Sequence, residues 1–335
     1  MKILITGGAG FIGSNLVLKY LENKKCNIYI IDNLSTGQWK NISEIVDNNR
    51  IKFLKKDICD DDIAKFIRDN KFDYIYNLAC PASPQYYLKF PIETWEANVL
   101  GVRNILNGIQ GTNTRLLQAS TSEVYGNAQV TLQSEEYWGN VNCNGVRACY
   151  DEGKRAAEAL IYDHIRLYNT NSVVVRIFNT YGPRMDKNDG RIISNFVNQA
   201  LTNSNITVYG NGEQTRSFCY IDDTIEALMS IMMKRQIPYK PINIGNPTEM
   251  QVLDVAKLIK NITKSNSKIV FKDALQDDPI RRKPDISYVN TLINWYPKIN
   301  FKEGLEKAKS KFFPFNFLAV SSACLIPFSL SGISV

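Results

Sequence analysis

Apolar residues fall in two rhythms along this chain. Through its first half, short runs dense in Ile, Val, Leu and Tyr recur at Lys2 to Thr6, Asn27 to Ile31, Ile51 to Leu54, Asp73 to Ala79, Arg115 to Ser120 and Ser172 to Phe178, with helix-length stretches between them. Strands that read as continuous apolar runs, alternating with helices, belong to a parallel sheet covered on both faces. The expected class is therefore α/β, a doubly wound parallel sheet. Beyond Asn179 the rhythm loosens. Helical stretches are expected at Arg191 to Leu201, Asp222 to Met233 and Val252 to Ile262, with a strand near Ile206 to Val208. This part reads as a smaller lobe interleaved with the first. The expected division is 1–178 for the sheet domain, with 218–245 returning to it, and 179–313 for the second lobe. Residues 314–335 carry no charge at all, but Pro314, Asn316 and Pro327 interrupt them, so an appendage to the body is expected there rather than a membrane span.

Composition narrows the function classes. A length of 335 residues suits about two domains. The net charge of +7 suits an anionic ligand, yet acids are interspersed throughout, as at Asp60, Asp61 and Asp62, and no basic stripe of the nucleic-acid kind is present. Seven scattered cysteines without a C-x-x-C pair argue against disulfides and zinc, and the single His164 argues against a multi-histidine metal centre. No metal is expected. A strand and a glycine cluster follow Met1-Lys2 directly, leaving no room for a cleavable leader, so the expected address is the cytoplasm.

The candidate chemistry starts at Gly7-Gly8-Ala9-Gly10-Phe11-Ile12-Gly13, a glycine run between a strand and a helix. Glycines there allow a tight turn and let backbone N–H groups approach a pyrophosphate at the helix amino end. Asp32, at the end of the next strand, stands where a carboxylate accepts from an adenosine ribose, which favours NAD over NADP; Asp57 follows the third strand. Together these predict a Rossmann-type dinucleotide site. Tyr150 and Lys154 form Y-x-x-x-K, one helical turn apart, after a strand ending in Ser120-Thr121-Ser122-Glu123. A neighbouring ammonium and a cationic cofactor ring would favour the Tyr150 phenolate and make it a base.

These residues resemble the extended short-chain dehydrogenase/reductase family, specifically the nucleotide-sugar epimerases, dehydratases and decarboxylases. Four stretches are similar to the branch that decarboxylates UDP-glucuronate: Asn77 to Pro84 (NLACPASP), Ser120 to Gly126 (STSEVYG), Ala148 to Arg155 (ACYDEGKR) and Asp277 to Ile286 (DDPIRRKPDI). The resemblance implies NAD held by Gly7, Gly10, Phe11, Ile12, Gly13 and Asp32, by Asn33, Ser35, Thr36 and Gly37, by Asp57 and Ile58, and by Leu78, Ala79, Tyr150 and Lys154. It implies Tyr150 as base on the sugar 4-hydroxyl, with Thr121 bonding the same oxygen. Where the related dehydratases carry an Asp-Glu pair, this chain has Ser122-Glu123, which suits a glucuronate whose C4 ketone drives loss of CO2 to give UDP-xylose. Glu123 and Arg282 are then implied in decarboxylation and reprotonation at C5. Substrate grip is implied for Tyr87, Asn179, Arg191, Tyr209, Gln214 and Arg216, and dimer formation for helices Ile92 to Ile109 and Arg147 to Tyr168. The chain departs from the family at Glu93 and Glu96, where lysines are common. The alternatives are a UDP-sugar 4-epimerase or 4,6-dehydratase and, in another class, a non-catalytic NAD-binding regulatory or scaffold protein. Thr121, Tyr150 and Lys154 together disfavour the last, because binding alone requires no such set.

Overall fold

A computed structural model describes all residues except 23–24, 235, 237–238, 275–280 and 313–335. The uncharged tail and the first four residues of the 277–286 stretch thus lie outside the described residues.

The first half builds β1 (Lys2–Thr6), α1 (Phe11–Leu21), β2 (Asn27–Ile31), β3 (Ile51–Leu54), α2 (Ile63–Asn70), β4 (Tyr74–Asn77), α3 (Pro84–Tyr87), α4 (Pro91–Glu96), α5 (Val102–Ile109), β5 (Arg115–Thr121), α6 (Ala148–Tyr168) and β6 (Ser172–Ile177). The sheet runs β3-β2-β1-β4-β5-β6 with the strand Ile242–Ile244 added beyond β6. Every pairing in it is parallel, with Ile3 opposite both Ile28 and Tyr74. The protein is therefore a doubly wound α/β fold of Rossmann type. Its order reverses between β1 and β4, and in such sheets ligands bind beyond the strand carboxyl ends at that reversal.

Strand alternation explains the two layers of core. Ile3, Ile5, Ile28, Ile30, Leu117 and Val175 point to one face, where they pack with Leu16 and Val17 of α1 and with Ile225 and Leu228 of the helix Ile221–Met233. Leu4, Ile75, Leu116 and Val174 point to the other and meet Ile63, Ile67, Ile105 and Ile161. Both faces are dry, which is why the strands carry so little polar alternation.

Two local differences from the sequence expectation have physical reasons. The helix expected over Ile92 to Ile109 is split by a π-turn, Ala97–Gly101. The extra residue of that turn accompanies a close crossing: a Cβ on Gly153 of α6 would stand 3.1 Å from the Asn98 amide nitrogen. The strand expected over Asp73 to Ala79 pairs only as Tyr74–Asn77, because the chain beyond Asn77 leaves the sheet to border the cavity.

Smaller sheets complete the second half. Thr215–Ser217 lies between Glu249–Gln251 and Arg281–Arg282, and Ile206–Tyr209 pairs with Ile269–Lys272. Among the described residues no helix is long and apolar enough to cross a membrane.

Candidate active site

One cavity of about 750 Å³ opens at the carboxyl ends of the strands. It is bordered by the glycine turn and α1, by the segments after β2, β3 and β4, by the end of β5, by the start of α6, and by parts of the second half.

At one end the backbone shapes a cradle. Gly7 has φ +69, and a Cβ on it would stand 2.7 Å from the Leu78 carbonyl oxygen. A Cβ on Gly13 would stand 2.2 Å from the Gly7 carbonyl oxygen. Only glycine fits either place. Gly10 stands at the amino end of α1 with no side-chain cap, leaving the first N–H groups pointed out of the helix. Asp32 fixes the turn by accepting from Ala9 N at 2.9 Å and Leu34 N at 2.8 Å. Burial raises its carboxyl above the ordinary range, and those two backbone donors oppose the shift. Asn33 donates to Asp57 at 2.6 Å, joining the β2 and β3 ends. Ser35, Thr36, Gly37, Ile58, Leu78, Ala79, Phe11 and Ile12 complete this end. A cradle with no room for a Cβ, uncapped N–H groups and a carboxylate past the second strand fit a dinucleotide with free ribose hydroxyls.

At the other end stand β5 and α6. Thr121 closes β5, its hydroxyl accepting from Glu123 N at 3.2 Å. Tyr150, Lys154 and Glu158 face inward from α6, four residues apart and all buried. Lys154 Nζ donates to the Ala119 carbonyl at 3.0 Å and lies 5.8 Å from the Tyr150 ring centre. The Tyr150 ring stacks on Tyr87, centres 5.0 Å apart and planes 6° from parallel. Beside Lys154 alone, without a cationic cofactor ring, the phenol is not predisposed to ionise. Burial and the Cys80 thiol push it well above the ordinary tyrosine range, and the Thr121 hydroxyl and Arg191 pull back only in part. Tyr150 is a phenol at rest, and a further positive charge must arrive to make it a base.

Around Glu123 gathers a set of charges. Its carboxylate bonds Arg147 and lies 2.7 Å from Arg282 Nη2, while Arg282 Nη1 also donates to the Ser122 carbonyl. Burial alone would raise the Glu123 carboxyl, but Arg282, Arg147 and Arg216 outweigh it and hold the group below the ordinary carboxylate range. Burial lowers the Arg282 guanidinium, with Glu123 opposing.

Every residue to which the resemblance assigns a catalytic, cofactor or substrate role borders this one cavity, including Asn179, Tyr209, Gln214, Arg216 and Arg282 from the second half. Some arrive already engaged: Arg191 is forked onto Asp189, and Gln214 donates to the Tyr209 carbonyl at 2.7 Å. Glu93 reaches the cavity edge; Glu96 does not border it. The sequence motifs did not mark Arg147, although a basic residue three positions before Tyr150, at the amino end of the same helix, was a usable signal. Asp151 and Ser83 lie inside the quoted stretches Ala148 to Arg155 and Asn77 to Pro84 but were given no role of their own.

Comparisons with known proteins agree with this architecture. Residues 4–308 match the family model described as GDP-mannose 4,6 dehydratase. UDP-glucuronic acid decarboxylase 6 of Arabidopsis thaliana is 45% identical over 312 residues, covering 93% of this chain and 89% of its own length. UDP-glucuronic acid decarboxylase 1 of Xenopus tropicalis is 44% identical over 306 residues, covering 91% of this chain and 70% of its own. Among solved structures, the UDP-glucuronic acid 4-epimerase of Bacillus cereus, in complex with UDP-glucuronic acid and NAD, superposes with a TM-score of 0.85 at 28% identity, over 93% of this chain and 98% of that one.

Proposed function

The chain belongs to the GDP-mannose 4,6 dehydratase family, and from that premise we propose that it is an NAD-dependent decarboxylase converting UDP-glucuronate to UDP-xylose and CO2. The choice among the family's reactions rests on one observation: Glu123, clasped by Arg147 and Arg282, borders the same cavity as Thr121 and Tyr150. The two decarboxylase relatives, each more than 40% identical, support the same reading.

The glycine cradle, Asp32 and the Asn33–Asp57 bridge would hold NAD, with Tyr150 and Lys154 beside its reactive end. When bound, NAD supplies reversible hydride acceptance at the sugar C4, so that a ketone stands there while the C5 carboxylate leaves. The remaining work falls to side chains. Tyr150 takes the 4-hydroxyl proton, and Thr121 bonds the same oxygen. The Lys154 ammonium already stands beside the Tyr150 ring, and the further positive charge that the buried phenol lacks at rest would come from the cofactor's cationic ring. With a ketone at C4 the carboxylate is that of a β-keto acid. The C5–carboxyl bond breaks, CO2 leaves, and the electron pair is held on the C4 oxygen by Tyr150 and Thr121. One proton must then reach C5; Arg282, whose guanidinium is lowered by burial and held in place by the ionised Glu123, is the group proposed to deliver it. Tyr150 returns its own proton to the C4 oxygen at the close of the cycle.

The sheet half holds the dinucleotide in this reading, and the second half supplies Asn179, Arg191, Tyr209, Gln214 and Arg216 to the UDP-sugar. The planar fork of arginine suits the diphosphate. The chain pairs as a homodimer through the α4–α5 run and α6, which expose Ile92 (64%), Leu100 (43%) and Leu167 (72%) to solvent. Incubation of the purified protein with UDP-glucuronate, read by mass, tests the proposal: the product is lighter by the mass of CO2, about 44 mass units. An isomer of unchanged mass would make it a 4-epimerase, and a loss of about 18 from a UDP- or dTDP-hexose with a free C6 hydroxyl, UDP-glucuronate being left unchanged, a dehydratase.

A further inference from the structure

Asp151 follows Tyr150 on α6 but does not border the cavity. It is 8% exposed, and its Oδ1 is wholly buried with no hydrogen-bond partner. Its Oδ2 lies 3.7 Å from Arg147 Nε, too far for a hydrogen bond, while the other end of the same guanidinium bonds Glu123. A carboxylate buried with one bare oxygen and one long ion pair is poorly satisfied; a carboxylic acid in the same place gives up far less solvation.

We propose that Asp151 is a positioning residue that sets the charge of the Arg147–Glu123–Arg282 cluster and, through Arg147, its grip on the carboxylate of a sugar acid. This deepens the decarboxylase reading and rests on it. The groups facing Asp151 are Glu123 from the turn after β5, Arg147 and Glu152 on its own helix, Arg282 from the second half and Tyr87 from α3. Burial and the Glu123 charge raise its carboxyl, the two guanidiniums oppose them, and the group is pushed up to about 7. Three guanidiniums, those of Arg147, Arg216 and Arg282, act on the Glu123 carboxylate. While Asp151 is protonated, these three guanidiniums and the Glu123 carboxylate together carry a net charge of two positives. When it ionises, one positive charge is cancelled and Arg147 is drawn between two carboxylates. The sign follows: recognition of a substrate carboxylate is strong below the Asp151 pKa and weakens as pH rises through it. A UDP-sugar without a carboxylate loses nothing, since its diphosphate stays fully charged over that range.

The test compares two ligands, UDP-glucuronate and UDP-xylose, on NAD-loaded protein carrying Tyr150→Phe so that the sugar acid is bound but not consumed, by calorimetry at about pH 6 and about pH 8. UDP-glucuronate is expected to bind roughly tenfold more weakly at the higher pH, as loss of one nearby charge implies, and UDP-xylose equally at both. In Asp151→Asn, which stays neutral, the UDP-glucuronate slope should vanish; Asp151→Ser serves if the amide variant does not fold. Equal slopes for the two ligands, or a slope that survives in the variant, would overturn the inference. Turnover of UDP-glucuronate by the parent enzyme with pH-independent binding sinks this inference alone, whereas failure to bind or turn over UDP-glucuronate at any pH sinks the decarboxylase reading with it.

Discussion

A tyrosine hydroxyl held in its neutral form by burial is a strict test of what the rest of the site must supply. Tyr150 is stacked on Tyr87, and only its oxygen is asked to do chemistry. Removing that oxygen leaves the stack, the helix and the dinucleotide cradle in place. Tyr150→Phe is therefore expected to keep NAD and thermal stability near those of the parent while turnover falls roughly 10²-fold or more. Steady-state kinetics beside a melting curve check both halves, and near-normal turnover would remove Tyr150 as the base. Tyr150, Lys154 and the glycines were legible in the sequence because each obeys a short spacing rule: one helical turn, or a strand-to-helix turn. The roles of Arg147, which precedes the motif, and of Asp151, which lies within it, were not. What makes them matter is where their charges meet Glu123 and Arg282, and Arg282 is 159 positions from Glu123 in the chain. No local pattern encodes that meeting.

Helix α6 joins the chemistry to the sheet. Below Tyr150 and Lys154, the same face carries Glu158, which pairs with Arg176 of β6 at 2.7 Å and accepts from Ser120 of β5 at 2.5 Å. Arg176 reaches on to the Tyr125 hydroxyl at 3.0 Å, and Tyr125 to Asn243 at 2.7 Å. Ser120 immediately precedes Thr121, so this buried chain of bonds fixes the spacing between the two elements that flank the reacting oxygen. Glu158→Ala strands the Arg176 charge in the interior and is expected to cost about 3 kcal/mol, read as a lowered denaturation midpoint. A loss within about 0.5 kcal/mol would mean that packing alone holds α6 to β5. At this scale the sequence was most readable where burial is two-sided, since β1, β2 and β3 fall where their apolar runs lie. It was least readable at Ala97–Gly101, because the apolar period of a helix passes almost unchanged through a π-turn.

At the scale of the whole molecule, cofactor end and sugar end share one cavity, and the second half closes it by laying Arg282 onto the Ser122 carbonyl and the Glu123 carboxylate. The second half was legible in the sequence only as a looser rhythm, because its sheets are two or three strands wide and their partners lie far apart in the chain. That closure bears on the electron balance. Decarboxylation of UDP-glucuronate to UDP-xylose is redox-neutral: the two electrons removed from C4 must return to C4, and one proton is taken up at C5. An enzyme that lets reduced cofactor leave before they return would instead release a 4-keto pentose and need fresh NAD for each turnover. The Ser122-Glu123 pair suits both outcomes, because both pass through the same loss of CO2. The expectation here is retention. Protein purified without added NAD should turn over UDP-glucuronate, form UDP-xylose, and show no growth of NADH absorbance as CO2 accumulates. One NADH appearing per CO2 released would instead place the chain with enzymes that stop at the ketone.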